Sequence, residues 1–434
     1  MGRKSLLLAL CFLPQLVFGE EAVVMNGASA AWLLTATALV LFMTLPGLAL
    51  FYAGLVRTKN VLSVLMQCFA ITCLVSILWL VYGYGMTFGN GGSLQDWLGL
   101  EKFFLKGVTD QSLTNDIPET IFIMFQMTFA IITPALAIGG FAERVKFSAV
   151  LWFTFLWLTL VYIPVCHWVW GGGWLMSMGV KDFAGGLVVH LTAGVASLVG
   201  ALYLGNRRGF PDTLMLPHNL TMTYTGAAML WVGWYGFNAG SALAANGAAG
   251  MAMLVTHLGA AAGSLAWMMM EWVRHGKPSV LGIVTGMVAG LGTVTPASGF
   301  ASPLGGVAIG LIAGFVCYWA TQILKQKLHI DDSLDVFPVH GVGGVIGTIM
   351  TGIFTAPMLG GVGFANNLDL LGQVGVQILG VLVVGTWSGV FSLLIFKVTD
   401  VISGVRVSSD DETTGLDLAL HDERGYNLDG GMRW

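Results

Sequence analysis

Charge is scarce in this chain: among 434 residues there are 19 Lys and Arg and 23 Asp and Glu, together 10% of the total. A soluble domain carries about 25% charged residues, so a surface wetted all round is excluded. The formal charge of −4 comes with no basic stripe and no interleaving of basic and aromatic residues, which excludes nucleic acid as a partner. Cysteine is sparse as well. Cys11 lies in an N-terminal leader, and Cys68, Cys73, Cys166 and Cys317 are scattered through apolar segments without the spacing of a zinc or haem site. They read as buried thiols. No metal site, cofactor motif or catalytic constellation is expected, and the chain does not read as an enzyme.

What is present in quantity is apolar: 56% of the residues are hydrophobic and 60 are glycine. Small residues let helices approach closely in lipid, so the composition predicts an all-α integral membrane protein. Apolar stretches of about 20 residues mark eleven spans, near 28–56, 61–88, 117–142, 146–166, 184–205, 219–239, 247–273, 279–296, 303–325, 334–355 and 369–403. Ahead of them, Arg3 and Lys4 precede an apolar run from Leu6 to Phe18, with Val17 and Gly19 as small residues before a cleavage point. Residues 1–19 therefore read as a signal peptide, which puts the mature N-terminus outside the cytoplasm. Pro14 and the shortness of the run disfavour a further span.

The basic residues test that orientation. Fourteen, from Arg57 and Lys59 to Arg424 and Arg433, fall on the inner side or in the C-terminal region; only Lys102, Lys106 and Lys181 fall outside. This positive-inside bias gives an odd number of spans and a cytoplasmic C-terminus. The membrane domain then covers 20–404, and 405–434 forms a polar cytoplasmic tail.

Two short stretches resemble each other: "DFAGGLVVH", Asp182 to His190, at the head of span five, and "DVFPVH", Asp335 to His340, at the head of span ten. Five spans separate them, so they enter the membrane from opposite faces. That is the pattern of inverted five-helix repeats, here about 28–205 and 219–355, which place one residue each at a midplane site. The eleventh span, about 369–403, is left as a peripheral helix. Either histidine alone reads equally well as packing or function; mirrored, they favour a pair that lines a pore or relays protons. His257 has no mirrored partner and reads as structural, while His167, His218, His275, His329 and His421 read as loop or interface residues. Asp182 reads first as a helix cap, and second as a negative charge near the outer mouth.

The outer ends hold aromatic residues at high density, in "FQMTFA" from Phe125, "HWVWGGGW" from His167 and "WYGFNAGS" from Trp234. An interfacial aromatic belt explains most of them. The glycines and serine beside them suit a tight cavity for a small monovalent cation, held by cation–π attraction of about 0.5–2 kcal/mol.

These residues resemble the ammonium transporter (Amt/methylammonium permease) family, bacterial type, over nearly the whole mature chain. The resemblance rests on "PGLALFYAGLVRTKN" from Pro46, "FAERVKFSAV" from Phe141, "DFAGGLVVH", "GWYGFNAGSA" from Gly233, "TPASG" from Thr295 and "DVFPVHGVGG" from Asp335. It implies a homotrimer with one pore per subunit, in a bacterial inner membrane. It further implies ammonium recruitment by Phe125, Phe129, Trp170 and Ser241, a gate of Phe129 and Phe237, and a pore pair of His190 and His340. Asp182 and Trp234 take supporting roles. Met127 stands where some relatives have Gly. The tail "ETTGLDLALHDERGY" resembles a regulatory motif, with Glu412, Gly415, Leu416, Asp417, His421, Glu423 and Tyr426 as its members and a PII-type nitrogen regulatory protein as the implied partner. The expected function is ammonium recruitment, deprotonation and ammonia conduction. A non-transporting ammonium sensor and a neutral gas channel are the alternatives.

Overall fold

In a computed structural model, residues 24–426 are described; the expected signal peptide and the last residues of the tail lie outside them. Among the described residues ten helices are long and apolar enough to cross a membrane. They are α1 (Gly27–Leu55), α2 (Thr58–Phe88), α3 (Glu119–Phe141), α4 (Phe147–Ser177) and α5 (Gly186–Leu204), then α7 (Gly247–His275), α8 (Val280–Ala297), α9 (Pro303–Lys327), α10 (Phe337–Phe354) and α11 (Leu370–Ser403). The expected sixth span is a helix, α6 (Leu220–Gly240), but it is not among the ten. Two short helices, α12 (Ser409–Thr414) and α13 (Leu416–His421), carry the tail.

Side-chain caps fix several starts. Asn26, Asn219, Asn246, Ser279, Ser302 and Asp369 each accept hydrogen bonds from amides in the first turn of α1, α6, α7, α8, α9 and α11. Glycine sets the packing inside. A Cβ on Gly290 or Gly310 would lie 2.4 or 2.3 Å from the Gly259 carbonyl oxygen, so α7, α8 and α9 touch backbone to backbone.

The helices α5 and α10 begin irregularly. Gly186–Leu191 and Phe337–Gly341 are wound as π-helix, and the His190 amide reaches back to the Gly185 carbonyl at 2.9 Å. Such wide turns recur at functional sites. The two helices cross reciprocally: a Cβ on Gly194 would lie 2.2 Å from the Gly341 nitrogen, and one on Gly344 2.9 Å from the Leu191 nitrogen. Each contact joins the residue four past one histidine to the residue one past the other.

The helix expected to be peripheral, α11, straps the crossing. Gln377 and Gln373, both fully buried, bond the backbone of Lys181, Thr348 and Gly179, and Ser388 donates to the Thr192 carbonyl.

Candidate functional site

An outer cavity of about 250 Å³ is walled by Phe129, Trp170, Ser241, Phe122, Gln126, Lys181, Phe183 and Phe300, with Asp182 at its edge. Trp170 ends the regular stretch Ile163–Trp170 of α4, just before Gly171, and its indole donates to the Asp182 carbonyl at 2.7 Å. Phe129 meets it edge-on, with centroids 5.8 Å apart at 89°. Ser241 closes α6 and donates to the Phe237 carbonyl at 2.8 Å, so its hydroxyl oxygen remains free to accept. Phe125 is not on the wall. It is buried behind Phe129, centroids 5.0 Å apart, and Phe122 and Gln126 take the expected place. The Gln126 side-chain oxygen is buried without a hydrogen-bond partner, an acceptor available to a cationic guest.

Below this cavity, Phe129 and Phe237 pack ring against ring, centroids 4.2 Å apart and tilted by 31°. Beneath them His190 and His340, buried and nearly parallel, place their Nδ1 atoms 3.1 Å apart. Only one of two facing nitrogens can donate, so the neutral pair shares a single proton across this contact. The ring that donates keeps a bare Nε2; the other keeps an Nε2–H. The pair therefore presents one acceptor and one donor, and the His190 Nε2 is without a partner. The cavity they line, with Met43, Leu48, Phe51, Ile132, Leu136, Leu230, Val288, Trp234 and Phe237, is about 10 Å³, scarcely one water wide. Trp234 stacks on His190 at 5.5 Å and is pinned by its indole N–H to Thr295 Oγ1 at 2.9 Å. His340 also borders an inner cavity of about 240 Å³.

The Asp182 carboxylate accepts from the amides of Gly185, Gly186, Leu187 and Val188 at 2.7–3.2 Å. It caps α5, as its position suggested. Its counterpart is not Asp335. Asp332, eight residues before His340 as Asp182 is eight before His190, accepts from the Val336 and Phe337 amides at 3.1 and 2.7 Å. Asp335 instead pairs with Lys325 at 2.7 Å on the inner cavity wall. Asp335 is the nearer aspartate in the sequence, but the equal count back from each histidine singles out Asp332.

His257 lies away from the pore, bonded to the Tyr235 hydroxyl at 2.7 Å and against Trp231. His167, expected as a loop or interface residue, is fully buried between the carbonyls of Thr87 and Gln95.

The tail residues dock on the inner face. Glu412 accepts from the Arg208 amide and Arg406; the Leu416 amide reaches Asn60, and Asp417 accepts from the Ser63 amide at the start of α2. Gly415, at φ +103, lies where a Cβ would strike Lys59. His421 packs on Phe147 and Tyr426 on His218. The Glu423 side chain is exposed.

The Ammonium Transporter Family profile matches residues 31–426. The chain belongs to this family. The ammonium transporter of Bacillus subtilis is 44% identical over 90% of this chain and 96% of that protein, and the one of Aquifex aeolicus 43% over 95% and 96%. Among solved structures, a Sensor Amt Protein superposes with a TM-score of 0.85 at 30% identity, covering 90% of this chain and 98% of the other. Mep2 of Saccharomyces cerevisiae gives 0.79 at 33%, covering 89% and 92%. As a family member the chain is a membrane transporter, not an enzyme, and its helices match those of the Amt and Mep structures.

Proposed function

We propose that the protein takes up ammonium by binding NH4+ in the outer aromatic cavity, removing its proton beneath the phenylalanine pair and passing NH3 through the histidine-lined constriction. The observation that carries the reading is the His190–His340 pair, with Nδ1 atoms 3.1 Å apart in a space too small for a hydrated ion. A charge at membrane depth is costly, by several kcal/mol on most scales, whereas neutral ammonia is not. Phe129, Trp170, Ser241 and Gln126 hold the cation, Phe129 and Phe237 gate it, and Asp182 fixes the start of α5 beneath it. The proton crosses separately along the shared imidazole contact. Potassium, which has no proton to release, is refused.

The same reading gives eleven spans in inverted repeats, with α6 counted among them, and a trimer with a pore in each subunit. It places the protein in the bacterial inner membrane with its mature N-terminus outside after removal of residues 1–19. It also gives the docked tail, 405–434, as a platform for a PII-type regulator.

The test is ammonium-evoked current in proteoliposomes, wild type against His190→Ala. The variant is expected to lose most of its coupled current and to gain a potassium leak; an unchanged current without leak sinks the relay. A sensor role is favoured by the likeness to the Sensor Amt Protein, and gives ligand binding with no current in wild type. A neutral gas channel gives flux without charge, and leaves Trp170 and Ser241 without purpose.

A further inference from the structure

The outer cavity holds a feature at odds with a cation-binding mouth: it contains a lysine. Lys181 lines the same cavity as Phe129, Trp170 and Ser241. Its ammonium rests 4.4 Å from the centroid of Phe300, another wall residue. Among the described residues it has no carboxylate within ion-pair distance. Asp182, on the same wall, is aimed away from it and forms no ion pair with it: its two oxygens are held by four backbone amides, so its charge acts on the lysine only at a distance.

Its placement is built rather than incidental. The Lys181 amide donates to Gln377 Oε1 and its carbonyl accepts from Gln377 Nε2, both at 2.7 Å. Gln377 is fully buried on α11, so both backbone polar groups of one residue are fixed by one side chain from another element. Phe183 meets Phe300 edge-on at 5.3 Å and holds that ring in turn. Lys102 and Lys106, the other lysines of the outer loops, do not line this cavity.

We propose that Lys181 is an affinity-setting residue: a tethered alkylammonium, parked on Phe300, that occupies part of the recruitment cavity and repels the free cation entering it. The inference rests on the cavity being the ammonium entry. A fixed positive charge within a few ångströms of a partly desolvated cation acts at a low effective dielectric, where salt screens it little. The ring face that holds it is the kind of surface that the substrate itself seeks. The protein thereby accepts a weaker grip at the mouth, so that the cation is not trapped above the gate.

Two readouts test this on the full-length protein: the half-saturating concentration of ammonium-evoked current in proteoliposomes, and that of ammonium-induced thermal stabilisation in detergent. Lys181→Met keeps length and removes charge. It is expected to lower both half-saturation values by about threefold or more, for a unit charge at this range, with the maximal current unchanged or reduced. Lys181→Arg keeps the charge and is expected to stay near wild type. Lys106→Met removes the same charge from an exposed outer-loop site and is expected to leave both values unchanged. An unchanged or raised value for Lys181→Met overturns the proposal, and so does an equal fall for Lys106→Met, which assigns the effect to bulk surface potential. Wild type without current, but with a thermal shift that sharpens in Lys181→Met, sinks the transport reading and keeps this one.

Discussion

Asp182 closes both its oxygens on four amides, and Asp332 closes its own on two. Each buried amide left without a partner costs about 1–3 kcal/mol. Asp182→Ala is therefore expected to lower stability by several kcal/mol, and Asp332→Ala by roughly half as much. Thermal unfolding of the purified protein in detergent reads the difference, and an equal loss in the two variants contradicts the cap account. Trp234→Phe keeps an aromatic ring beside His190 and removes the bond to Thr295 together with part of the buried indole. Its expected cost is about 1–3 kcal/mol, the lost bond plus the lost packing, with ammonium-evoked current reduced rather than abolished.

At the scale of the helix, the crossing of α5 and α10 is fixed by glycine. A methyl group on Gly344 would enter the backbone at Gly186 and Leu191, 2.8–2.9 Å away, so Gly344→Ala is expected to block folded expression. Gly385 on α11 supplies the comparison. A Cβ there meets only Leu191 Cδ2 at an ordinary 3.9 Å, and Gly385→Ala is expected to express as wild type, measured by size-exclusion profile. The sequence made most of this scaffold legible because apolar length is a strong signal, and because a histidine inside an apolar span is rare enough to be noticed. Asp332 was missed because Asp335 lies closer to His340 and mimics a cap. Gln377 and Gln373 were passed over because two polar residues four apart in a long apolar helix do not announce their partners, Lys181 and Gly179, some 190 residues away. The cavity wall was legible at Trp170 and Ser241 through local aromatic density. Gln126 and Phe300 come to it only by tertiary packing.

Across the whole molecule, the inner face is held by buried charge. Arg207 bonds Glu143 and Asp331 at 2.5 and 2.7 Å, Arg57 reaches Glu143 at 3.1 Å, and Arg144, fully buried, donates to the Asp331 carbonyl. Burial pushes the carboxyls of Glu143 and Asp331 up, but Arg207, with Arg57 and Arg144, pulls each below its ordinary value of 4.5 or 3.8. A depressed folded value means that the stabilisation is complete above the ordinary value and is lost as pH falls through the folded one. Asp332 acts in the opposite sense: burial, then Asp335, raises it to about 6, so its contribution is complete below 3.8 and fades as pH rises through about 6. Acid loss of stability beginning near pH 4.5 therefore belongs to Glu143 and Asp331. Arg207→Met takes the closest partner from two buried carboxylates, leaving Arg57 beside Glu143 and Arg144 beside Asp331, and is expected to cost about 3 kcal/mol near pH 7. The gap from wild type should narrow as pH falls toward 3, followed by thermal unfolding across a pH series; a constant gap removes the two acids from the account. The same charges face the tail, since Asn60 bonds both Glu143 and the Leu416 amide, so loss of the network is expected to loosen the tail too.

The reciprocal glycine contacts of α5 and α10 bear on how fine a sieve this molecule can be. Where side chains line a constriction, a change of rotamer widens it and the cut-off drifts with thermal motion. Here the two imidazoles hang from helices whose main chains rest on one another on both sides of them, so the helices that carry the pair cannot move apart or together without disturbing the crossing itself. The frame of the sieve is thus as fixed as the crossing, and only the side chains hung on it are left to set the fine cut-off.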